Sequence, residues 1–228
     1  MKNIVLIRHG ESLGQTANKR GMSRKDESLA DCFLTRKGVH QALALRSNAK
    51  LSSYNFDLVC TSPLTRAVAT CALGMGNLAE NDTKSSRDGV RVTRFVAHAS
   101  ISEAGTGIPE NRGREIQSVK EDLKRKLSRI SPPSLACIDQ IDFSLLPESW
   151  PQVGESGSSA KKRKLDLFLE WLLTQRREQT IAIFCHWHII RWLLGDQIDH
   201  VPNCMPIECV LLDTARLVLK SRKYLYET

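Results

Sequence analysis

The sequence of 228 residues has no apolar run that approaches the roughly 20 residues needed to span a bilayer. Its N-terminal apolar run is only about four residues long, too short for the core of a signal peptide. Aromatic residues make up 6% of the chain and charged residues 25%, while 41% is hydrophobic. This balance excludes wholesale disorder and favours a globular domain with a sizeable core. We expect a protein without membrane contact, located in the cytoplasm.

Cysteine pairs and nucleotide-binding loops are also missing. The seven cysteines include no C-x-x-C spacing, and Cys204 and Cys209 have no histidine pair nearby to complete a zinc site. Several cysteines, such as Cys60 and Cys185, lie inside apolar runs, which indicates buried thiols in a reducing compartment. The sequence contains neither a P-loop nor a G-x-G-x-x-G turn. We therefore expect no metal and no cofactor.

Positive charge is in excess, with a formal net charge of +8. Such an excess favours anionic partners such as phosphates, acidic lipid surfaces or nucleic acid, without distinguishing among them. The run Lys161-Lys162-Arg163-Lys164 is typical of a nuclear address, the minor alternative for location, but it also begins an amphipathic helix, where a solvated end is the simpler interpretation. Nucleic-acid binding is disfavoured because the run is short and has no interleaved aromatic residues.

Short apolar runs rich in Val, Ile or Phe predict the strands. The strongest are Asn3–Ile7, Phe56–Cys60 and Thr180–Cys185. None shows clean alternation, which fits strands covered on both faces, as in a parallel sheet. Weaker candidates are Val90–Ala97 and Glu208–Leu212.

Helical patterns lie between these strands. Thr35 is predicted to cap a helix from about Arg36 to Lys50, and Pro63 to lie in the first turn of a helix through Ala72. The clearest amphipathic stripe comprises Leu165, Phe168, Leu169, Leu172 and Leu173. Strands that alternate with helices predict an α/β fold, a three-layer sandwich with a mostly parallel, doubly wound sheet and helices on both faces.

The stretch from about 99 to 159 departs from this pattern. It is irregular, contains several prolines and includes the loose segment VGESGSS. We interpret it as an insertion, a cap region over one edge of the sheet, with a charged helix at about Arg114–Ser128. The whole chain, residues 1–228, is predicted to form one domain.

The predicted strands end in groups that suit an anion. The first ends in Arg8-His9-Gly10, the second leads into TSPLTRA with Arg66 in the first turn of the next helix, and the third ends in Cys185-His186. Ligands bind outside the carboxyl ends of the strands in open α/β sheets, so these side chains should converge there. Burying that much positive charge without an anion would cost several kcal/mol per ion.

Four ordered motifs carry a resemblance to a known family. They are LIRHGES at the N-terminus, DCFLTRKGVHQA at 31–42, TSPLTRAVAT at 61–70 and FCHWHIIR at 184–191. Together they resemble the successive motifs of the histidine phosphatase superfamily, branch 1, which includes the phosphoglycerate mutases. The resemblance implies a phosphohistidine mechanism with His9 as nucleophile, Arg8 and Arg66 holding the phosphate oxygens, and His186 completing the pocket.

Physical chemistry agrees with these implied roles. Phosphoryl transfer develops charge on equatorial oxygens, so the site needs positioned cations, and guanidinium binds phosphate in a planar, bidentate way. Neighbouring positive charge should lower the pKa of His9 and keep its attacking nitrogen unprotonated. Gly10 is expected to let the backbone approach the ligand.

A general acid is needed as well, because an alkoxide leaves poorly unless it is protonated. The family places a Glu after the next strand, and Glu103 is the candidate here, with Glu110 and Glu115 as alternatives. A carboxyl beside a phosphate dianion should have a raised pKa.

Some positions depart from the family pattern or refine it. Gln15 stands where many members carry Asn, and Trp187 follows the second motif histidine where a small residue is common. Both are candidate substrate-binding residues, as is Arg112 from the insertion, with Arg114 as its alternative. His188 is expected on a helix face or behind the site.

The leading interpretation is a metal-independent phosphatase that hydrolyses phosphomonoesters through phospho-His9. The same residues would serve a phosphoglycerate mutase-like phosphotransferase, although nothing resembles the mutases' longer Asn-Glu-Arg-containing segment. The third interpretation is a catalytically weak regulatory protein that binds phosphorylated ligands. The expected partner is a small anionic phosphorylated substrate, and the sequence leaves the oligomeric state open.

Overall fold

One mixed sheet of six strands forms the centre of the fold, in the order β3-β2-β4-β1-β5-β6. The strands are β1 Lys2–Arg8, β2 Leu58–Thr61, β3 Arg94–Ala97, β4 Thr180–Cys185, β5 Pro206–Leu211 and β6 Leu217–Leu219. The structure is a computed structural model that describes residues 1–85, 93–105, 107–151, 158–175 and 177–220, without the side chains of residues 18, 80–85 and 158–160.

The four strands β3, β2, β4 and β1 pair in parallel, whereas β5 and β6 add an antiparallel edge beside β1. The five predicted strands are all present, with ends shifted by a few residues, and β6 was not predicted. The first three positions of Val90–Ala97 lie outside the described residues, and the strand there begins at Arg94. Phe56 and Asp57 lie before β2. The Asp57 side chain is used near the start of β4, where its Oδ2 accepts the backbone N–H groups of Gln179 and Thr180 at 2.7 and 3.0 Å.

Helices cover both faces of the sheet, which confirms the predicted three-layer α/β fold. The helices are α1 Arg36–Ala44, α2 Ala49–Ser52, α3 Thr65–Ser85, α4 Ile116–Leu127, α5 Pro133–Gln140, α6 Ser158–Thr174 and α7 Trp187–Leu194. Short 3-10 helices lie at Gly14–Thr16, Asn18–Arg20, Glu27–Leu29, Leu45–Ser47, Ala99–Ile101, Pro109–Asn111 and Gly195–Gln197. One apolar cluster packs α1, α3, α4 and α5 on the sheet, and a second packs α6 and α7 on its other face.

The predicted helix from Arg36 to Lys50 is divided. Thr35 caps α1 as predicted, because its hydroxyl accepts the Gly38 N–H at 3.0 Å. Asn48 then adopts an extended backbone and its side chain accepts the N–H groups of Lys50 and Leu51, which begins α2 anew. The preference of asparagine for the N-cap outweighs continuation of the apolar periodicity here.

Helix α3 differs from its prediction at both ends. It begins at Thr65, so Pro63 lies before the helix and not in its first turn. The cap comes from a distant residue, since Asp31 Oδ1 accepts the Thr65 N–H at 2.8 Å. The helix also runs past Ala72 through Gly74 and Gly76. A Cβ added at Gly74 would lie 3.0 Å from the Leu45 side chain, and one added at Gly76 would lie 3.0 Å from the Pro133 backbone in α5. Both glycines therefore allow neighbouring helices to approach α3 closely.

The segment between β3 and α6 contains α4 and α5, and the described part of α6 carries the apolar stripe. Leu165, Phe168, Leu169 and Leu172 are buried, and Leu173 is partly buried against the same cluster. Whether residues 99–159 act as a cap on a single domain stays a prediction. In the described part of the chain, no helix has both the length and the apolar character to cross a membrane.

Candidate active site

The two motif histidines lie side by side where β1 and β4 end. Arg8 pairs in register with Cys185, so the residues that follow, His9 and His186, leave the sheet together. The His9 N–H donates to the Cys185 carbonyl at 3.0 Å, and the two imidazole centroids are 5.1 Å apart. Parallel pairing therefore brings together side chains 177 positions apart in the sequence, as 186 minus 9 gives.

Hydrogen bonds fix the tautomer of His9. Its Nδ1 lies 2.7 Å from the Gly10 carbonyl oxygen, which can only accept, so Nδ1 carries the hydrogen. The Arg66 Nε–H donates to His9 Nε2 at 3.2 Å, so Nε2 presents a lone pair. Burial and then the charges of Arg66 and Arg8 lower the pKa of His9 well below its ordinary value. The ring is therefore neutral, with Nε2 available as a nucleophile.

Arg66 is a buried cation held from three sides. Its side chain, 1% exposed, donates Nη1 to the Glu110 carbonyl and Nη2 to Asn111 Oδ1 at 2.8 Å, besides the bond to His9. These contacts fix the guanidinium plane against the imidazole. None of them supplies a carboxylate to neutralise the charge, which leaves the guanidinium suited to an anionic ligand.

Two buried donors beside His9 have no hydrogen-bond partner. Within the described residues, Arg8 Nε, His186 Nδ1 and Ser102 Oγ are the buried side-chain polar atoms in this state. Arg8 is anchored by its other end, where Nη1 donates to the Val201 carbonyl at 2.7 Å. Buried polar atoms are rarely left unpaired, so two such donors flanking one imidazole indicate a place for an anion.

His186 has a tautomer that fits this role. Its Nε2 lies 2.8 Å from Ser62 Oγ, and the same oxygen accepts the Leu64 N–H at 3.3 Å. The Ser62 hydroxyl hydrogen is thus available for His186 Nε2, which leaves the imidazole hydrogen on Nδ1. Burial and then the charge of Arg66 lower the pKa of His186 well below its ordinary value, so the ring is neutral.

The cavity beside His9 measures about 360 Å³. It brings together predicted site residues from four separate segments with several residues that were not predicted. The lining comprises Arg8, His9, Gln15, Arg24, Arg66, Glu103, Ala104, Ile108, Glu110, Asn111, Trp187 and His188. Its polar wall is dominated by guanidinium, imidazole and carboxyl groups, the mixture that phosphoryl transfer needs.

Glu103 faces this cavity, but its pKa is not raised as expected. Its Oε1 accepts the Ala104 N–H at 2.9 Å and lies 3.2 Å from His188 Nδ1. Burial raises the pKa of Glu103, yet the bond and charge of His188, the Ala104 amide and the Arg66 charge outweigh burial, and the net pKa lies below its ordinary value. The sequence expectation assumed a bound dianion and missed the imidazole partner.

The two alternative carboxyls differ in position. Glu110 is buried in the same cavity, where its carboxylate accepts from Arg24 Nη2 and from Ser12 Oγ, the latter at 3.3 Å. Glu115 instead caps α4, accepting the N–H groups of Gln117 and Ser118 at 2.9 and 2.7 Å. It does not line the cavity, so among the three candidates only Glu103 and Glu110 can reach a ligand there.

Gln15 and Trp187 both line the cavity. The Gln15 side-chain oxygen accepts from the Ser12 N–H at 3.0 Å and from Asn203 Nδ2 at 3.3 Å, which turns its amide nitrogen away from these partners. His188, expected on a helix face or behind the site, also lines the cavity through its contact with Glu103.

The prediction for an arginine from the insertion is corrected. Arg112 does not line the cavity, and its Nη1 donates to both carboxylate oxygens of Glu27 at 2.9 and 2.7 Å. Arg114 bonds Asp31 at 3.3 Å and supports the start of α3. The arginine that lines the cavity beside Arg8 and Arg66 is Arg24, from the loop after the first motif. Since the pairing carboxylates are remote in sequence, local patterns could not separate these arginines.

The reason for Gly10 is also corrected. A Cβ at this position would lie 2.5 Å from the Gly38 carbonyl oxygen, so the glycine allows β1 to meet the start of α1. The close approach is to the backbone of this chain and not to a ligand. The Gly10 N–H then donates to Thr70 Oγ1 at 3.0 Å, which ties this turn to α3.

Residues 4–84 match the family described as the histidine phosphatase superfamily (branch 1). They hold the first three of the four motifs, including His9 and Arg66. This match confirms the predicted resemblance of this part of the chain to that superfamily.

The chain is similar in sequence to mutases, and its fold is similar to those of both mutases and phosphatases. A 2,3-bisphosphoglycerate-dependent phosphoglycerate mutase of Brucella anthropi is 33% identical over 87 residues, which is 38% of this chain and 39% of the relative's length. The fold is similar to ecdysone phosphate phosphatase from Bombyx mori, with TM-score 0.60, 14% identity and 92% and 89% of the two chains covered. It is also similar to phosphoglycerate mutase from Bacillus anthracis, with TM-score 0.56, 15% identity and 98% and 95% covered.

Proposed function

We propose that the protein is a phosphomonoesterase that works through a phosphohistidine on His9 and needs no metal. The observation that carries this proposal is the neutral imidazole whose Nε2 accepts the Arg66 Nε–H, beside the two unpartnered donors Arg8 Nε and His186 Nδ1. A phosphate group would satisfy both donors and meet the guanidinium charges. Phosphoryl transfer requires these groups and little further covalent chemistry from the protein.

In the first half-reaction, His9 Nε2 attacks phosphorus while the bond from phosphorus to the bridging oxygen breaks. Arg8, Arg66 and His186 stabilise the charge on the equatorial oxygens. Glu103 gives its proton to the leaving oxygen, so the alcohol departs neutral. Without substrate the pKa of Glu103 is lowered by His188 and its other partners against the effect of burial. Entry of a phosphate dianion raises it, so Glu103 takes up a proton from His188 or from solvent before this step.

In the second half-reaction, a water molecule attacks the phosphorus of phospho-His9. Its proton passes to the Glu103 carboxylate as the bond between phosphorus and Nε2 breaks. Inorganic phosphate leaves, and His9 returns to the neutral form with hydrogen on Nδ1. Glu103 thus acts as an acid in one step and as a base in the next.

One of the similar proteins supports a hydrolase. The Bombyx mori enzyme is named a phosphatase, and its structure is described in complex with tungstate, a tetrahedral oxyanion like phosphate. A mutase remains the second candidate, because the Brucella anthropi relative and the Bacillus anthracis structure are phosphoglycerate mutases. The two reactions share the first half and differ in whether water or a substrate hydroxyl accepts the phosphoryl group.

The test compares the wild type with His9→Ala on a panel of phosphomonoesters in chelator. His40→Ala, at an exposed position on α1, is the matched control. We expect phosphate release by the wild type and the control, and a loss of about 10³-fold or more in His9→Ala. Brief exposure to radioactive substrate should label the wild type with an acid-labile, base-stable phosphoryl group. Turnover that needs added metal, or that survives in His9→Ala, contradicts the mechanism.

The same assay separates the alternatives. A mutase would transfer label to a second hydroxyl of 3-phosphoglycerate faster than it releases phosphate. A regulatory binding protein would bind inorganic phosphate or tungstate in a manner lost in Arg66→Met, yet would turn over no substrate in the panel.

A further inference from the structure

A second cavity of about 290 Å³ lies next to the one beside His9. The two cavities share Glu103, Ala104 and Asn111 as lining residues. Asn111 Nδ2 donates to the Ala104 carbonyl at 2.6 Å, and Asn111 Oδ1 accepts from Arg66, so this residue links both spaces. The volume lies just below the range of roughly 300–1,000 Å³ typical of small-molecule pockets.

One wall of the second cavity is apolar and rigid. Trp150 lines it together with Leu145 and Pro147. The indole Nε1–H donates to the Arg114 carbonyl at 3.1 Å, and a Cβ at Gly113 would lie 2.2 Å from the six-membered ring. The ring is thus seated on a backbone with no side chain beneath it. A fixed indole of this kind favours contact with a planar, apolar group.

A second part of the lining, its basic edge, is positively charged and polar. Lys161 and Lys164 line it from the first turns of α6, and Lys161 Nζ donates to the Ser102 carbonyl. Ser102 itself is 8% exposed, lines the cavity, and its Oγ is the third buried polar atom without a partner among the described residues. Two ammonium groups and an unpaired hydroxyl beside an aromatic wall suit an apolar group that ends in an anion.

We propose that this second cavity binds the organic part of the substrate, and that the substrate class is a phosphomonoester of an aromatic alcohol that carries a second anionic group. The inference rests on the proposed function, which places the phosphate against His9. The bridging oxygen of a phosphomonoester lies between phosphate and organic part. Glu103 lies at the border of the two cavities, where a group that protonates this oxygen has to be.

The size of the cavity separates this substrate class from smaller ones. A three-carbon phosphate ester is too small to fill both cavities. A benzene ring with a para substituent adds an apolar ring for Trp150 and an anion for the basic edge. Contacts with such remote parts of a substrate contribute binding energy that can be used in the transition state.

The experiment uses three probes: glycerol 2-phosphate, phenyl phosphate and 4-carboxyphenyl phosphate. We expect kcat/KM of the wild type to be at least about tenfold higher for 4-carboxyphenyl phosphate than for phenyl phosphate, since one anchored charge pair supplies about that factor. Lys164→Gln should remove this preference, and Trp150→Leu should lower kcat/KM for both aryl esters. Neither variant should change kcat/KM for glycerol 2-phosphate, which also shows that each variant is folded.

Lys162→Gln is the matched control. It removes the same charge from the same run, but Lys162 is exposed and does not line this cavity. Ser102→Ala provides a second readout. If the ligand forms a hydrogen bond with the Ser102 hydroxyl, the substitution should lower kcat/KM several-fold, whereas kcat/KM should stay unchanged if it does not. Equal losses in Lys162→Gln and Lys164→Gln, or a wild type without preference for the carboxylated ester, overturn the proposal.

Binding of the product 4-hydroxybenzoate, measured by calorimetry, separates this inference from the proposed function. If the wild type turns over none of the probes, the proposed function fails. The cavity is still tested in that case, because 4-hydroxybenzoate should bind the wild type and Lys162→Gln and bind Lys164→Gln about tenfold more weakly. Absence of binding to the wild type contradicts the proposed cavity occupant.

Discussion

The Nδ1 atom of His188 lies 3.2 Å from Oε1 of Glu103, and the pKa of each residue is shifted toward its charged form. The bond to Glu103 raises the pKa of His188, although burial and the charges of Arg24 and Arg8 oppose it. Within this pair, a shared proton is therefore favoured on His188 over Glu103. Through this contact His188 positions the carboxyl group of Glu103, the proposed acid.

Replacing His188 by Leu should move the upper limb of the kcat profile to higher pH for an alkyl phosphate. Burial raises the pKa of Glu103, and without His188 only the Ala104 amide and the Arg66 charge oppose burial. The protonated acid then persists to higher pH. The measurement is kcat against pH with glycerol 2-phosphate. For 4-nitrophenyl phosphate, whose leaving group needs little protonation, the limb should stay in place, and an equal displacement for both substrates would count against the role of Glu103.

Nuclear magnetic resonance of ¹⁵N-labelled histidines should show His9 and His188 titrating on opposite sides of the ordinary histidine pKa of about 6.5. Burial, Arg66 and Arg8 lower the pKa of His9, whereas the bond to Glu103 raises that of His188. At pH 6.5, His9 should still be neutral with hydrogen on Nδ1. Arg66→Met should raise the pKa of His9 and lower kcat/KM by about 10²–10³-fold. A protonated His9 at neutral pH is incompatible with its proposed role as nucleophile.

Much of the fold could be predicted because it depends on local patterns. The buried runs of β1 and β4, the cap at Thr35 and the apolar stripe of α6 are visible in short windows of sequence. The extent of α3 could not be predicted in this way, because Asp31 caps it from a distant part of the sequence and because its glycines allow close packing of neighbouring helices. Strand β6 covers only Leu217–Leu219 and gives too short a pattern to detect.

The site was partly predictable for the same reason. His9 and His186 each follow a recognisable strand, and parallel pairing brings such residues together. The partnership of Glu103 with His188 joins positions 85 residues apart, as 188 minus 103 gives, and carries no local signal. Asn111 was not predicted as a site residue for a similar reason, because its role depends on its hydrogen bonds to Arg66 and to the Ala104 carbonyl.

Arg24 and Arg112 offer a matched comparison of two arginines. Arg24 lines the cavity and binds Glu110, whereas Arg112 lies outside it and binds Glu27. We expect Arg24→Met to raise KM about tenfold, since one charged contact to an anionic substrate is worth about that factor. Arg112→Met should change KM less than about twofold, because a surface ion pair contributes little. Steady-state kinetics with phenyl phosphate checks both, and the reverse ranking would restore the prediction made from sequence.

Asn111→Ala should reduce both activity and stability. The substitution leaves Arg66 Nη2 without its acceptor and the Ala104 carbonyl without its donor, at a cost of about 1–3 kcal/mol in unfolding free energy. Because Arg66 also holds His9 Nε2, a less constrained guanidinium should lower kcat more than it raises KM. Urea unfolding and steady-state kinetics measure the two effects. Loss of stability with an unchanged kcat would limit Asn111 to a structural role.

The last prediction concerns the carboxyl that caps α3. Asp31 is 1% exposed, accepts the Thr65 N–H and hydroxyl at 2.8 and 2.5 Å, and lies 3.3 Å from Arg114 Nε. Burial raises the pKa of Asp31 to about 6, although Thr65 and the charges of Arg66 and Arg114 oppose it. The folded state therefore retains a proton that the unfolded chain releases near its ordinary pKa of about 3.9.

This difference in pKa decides how the free energy of unfolding changes with pH. As the pH rises from about 4 through about 6, the unfolded state binds fewer protons than the folded one, so the free energy of unfolding falls. Above about pH 7 it no longer changes through this group. Between about pH 4.5 and pH 7.5 the wild type should lose about 2 kcal/mol by this route. Asp31→Asn keeps an acceptor for the Thr65 N–H and removes the titration, so its urea-unfolding free energy should gain about that amount relative to the wild type over the same range. If the two proteins show parallel pH dependence, Asp31 is ionised in the fold, and Arg66 and Arg114 outweigh its burial.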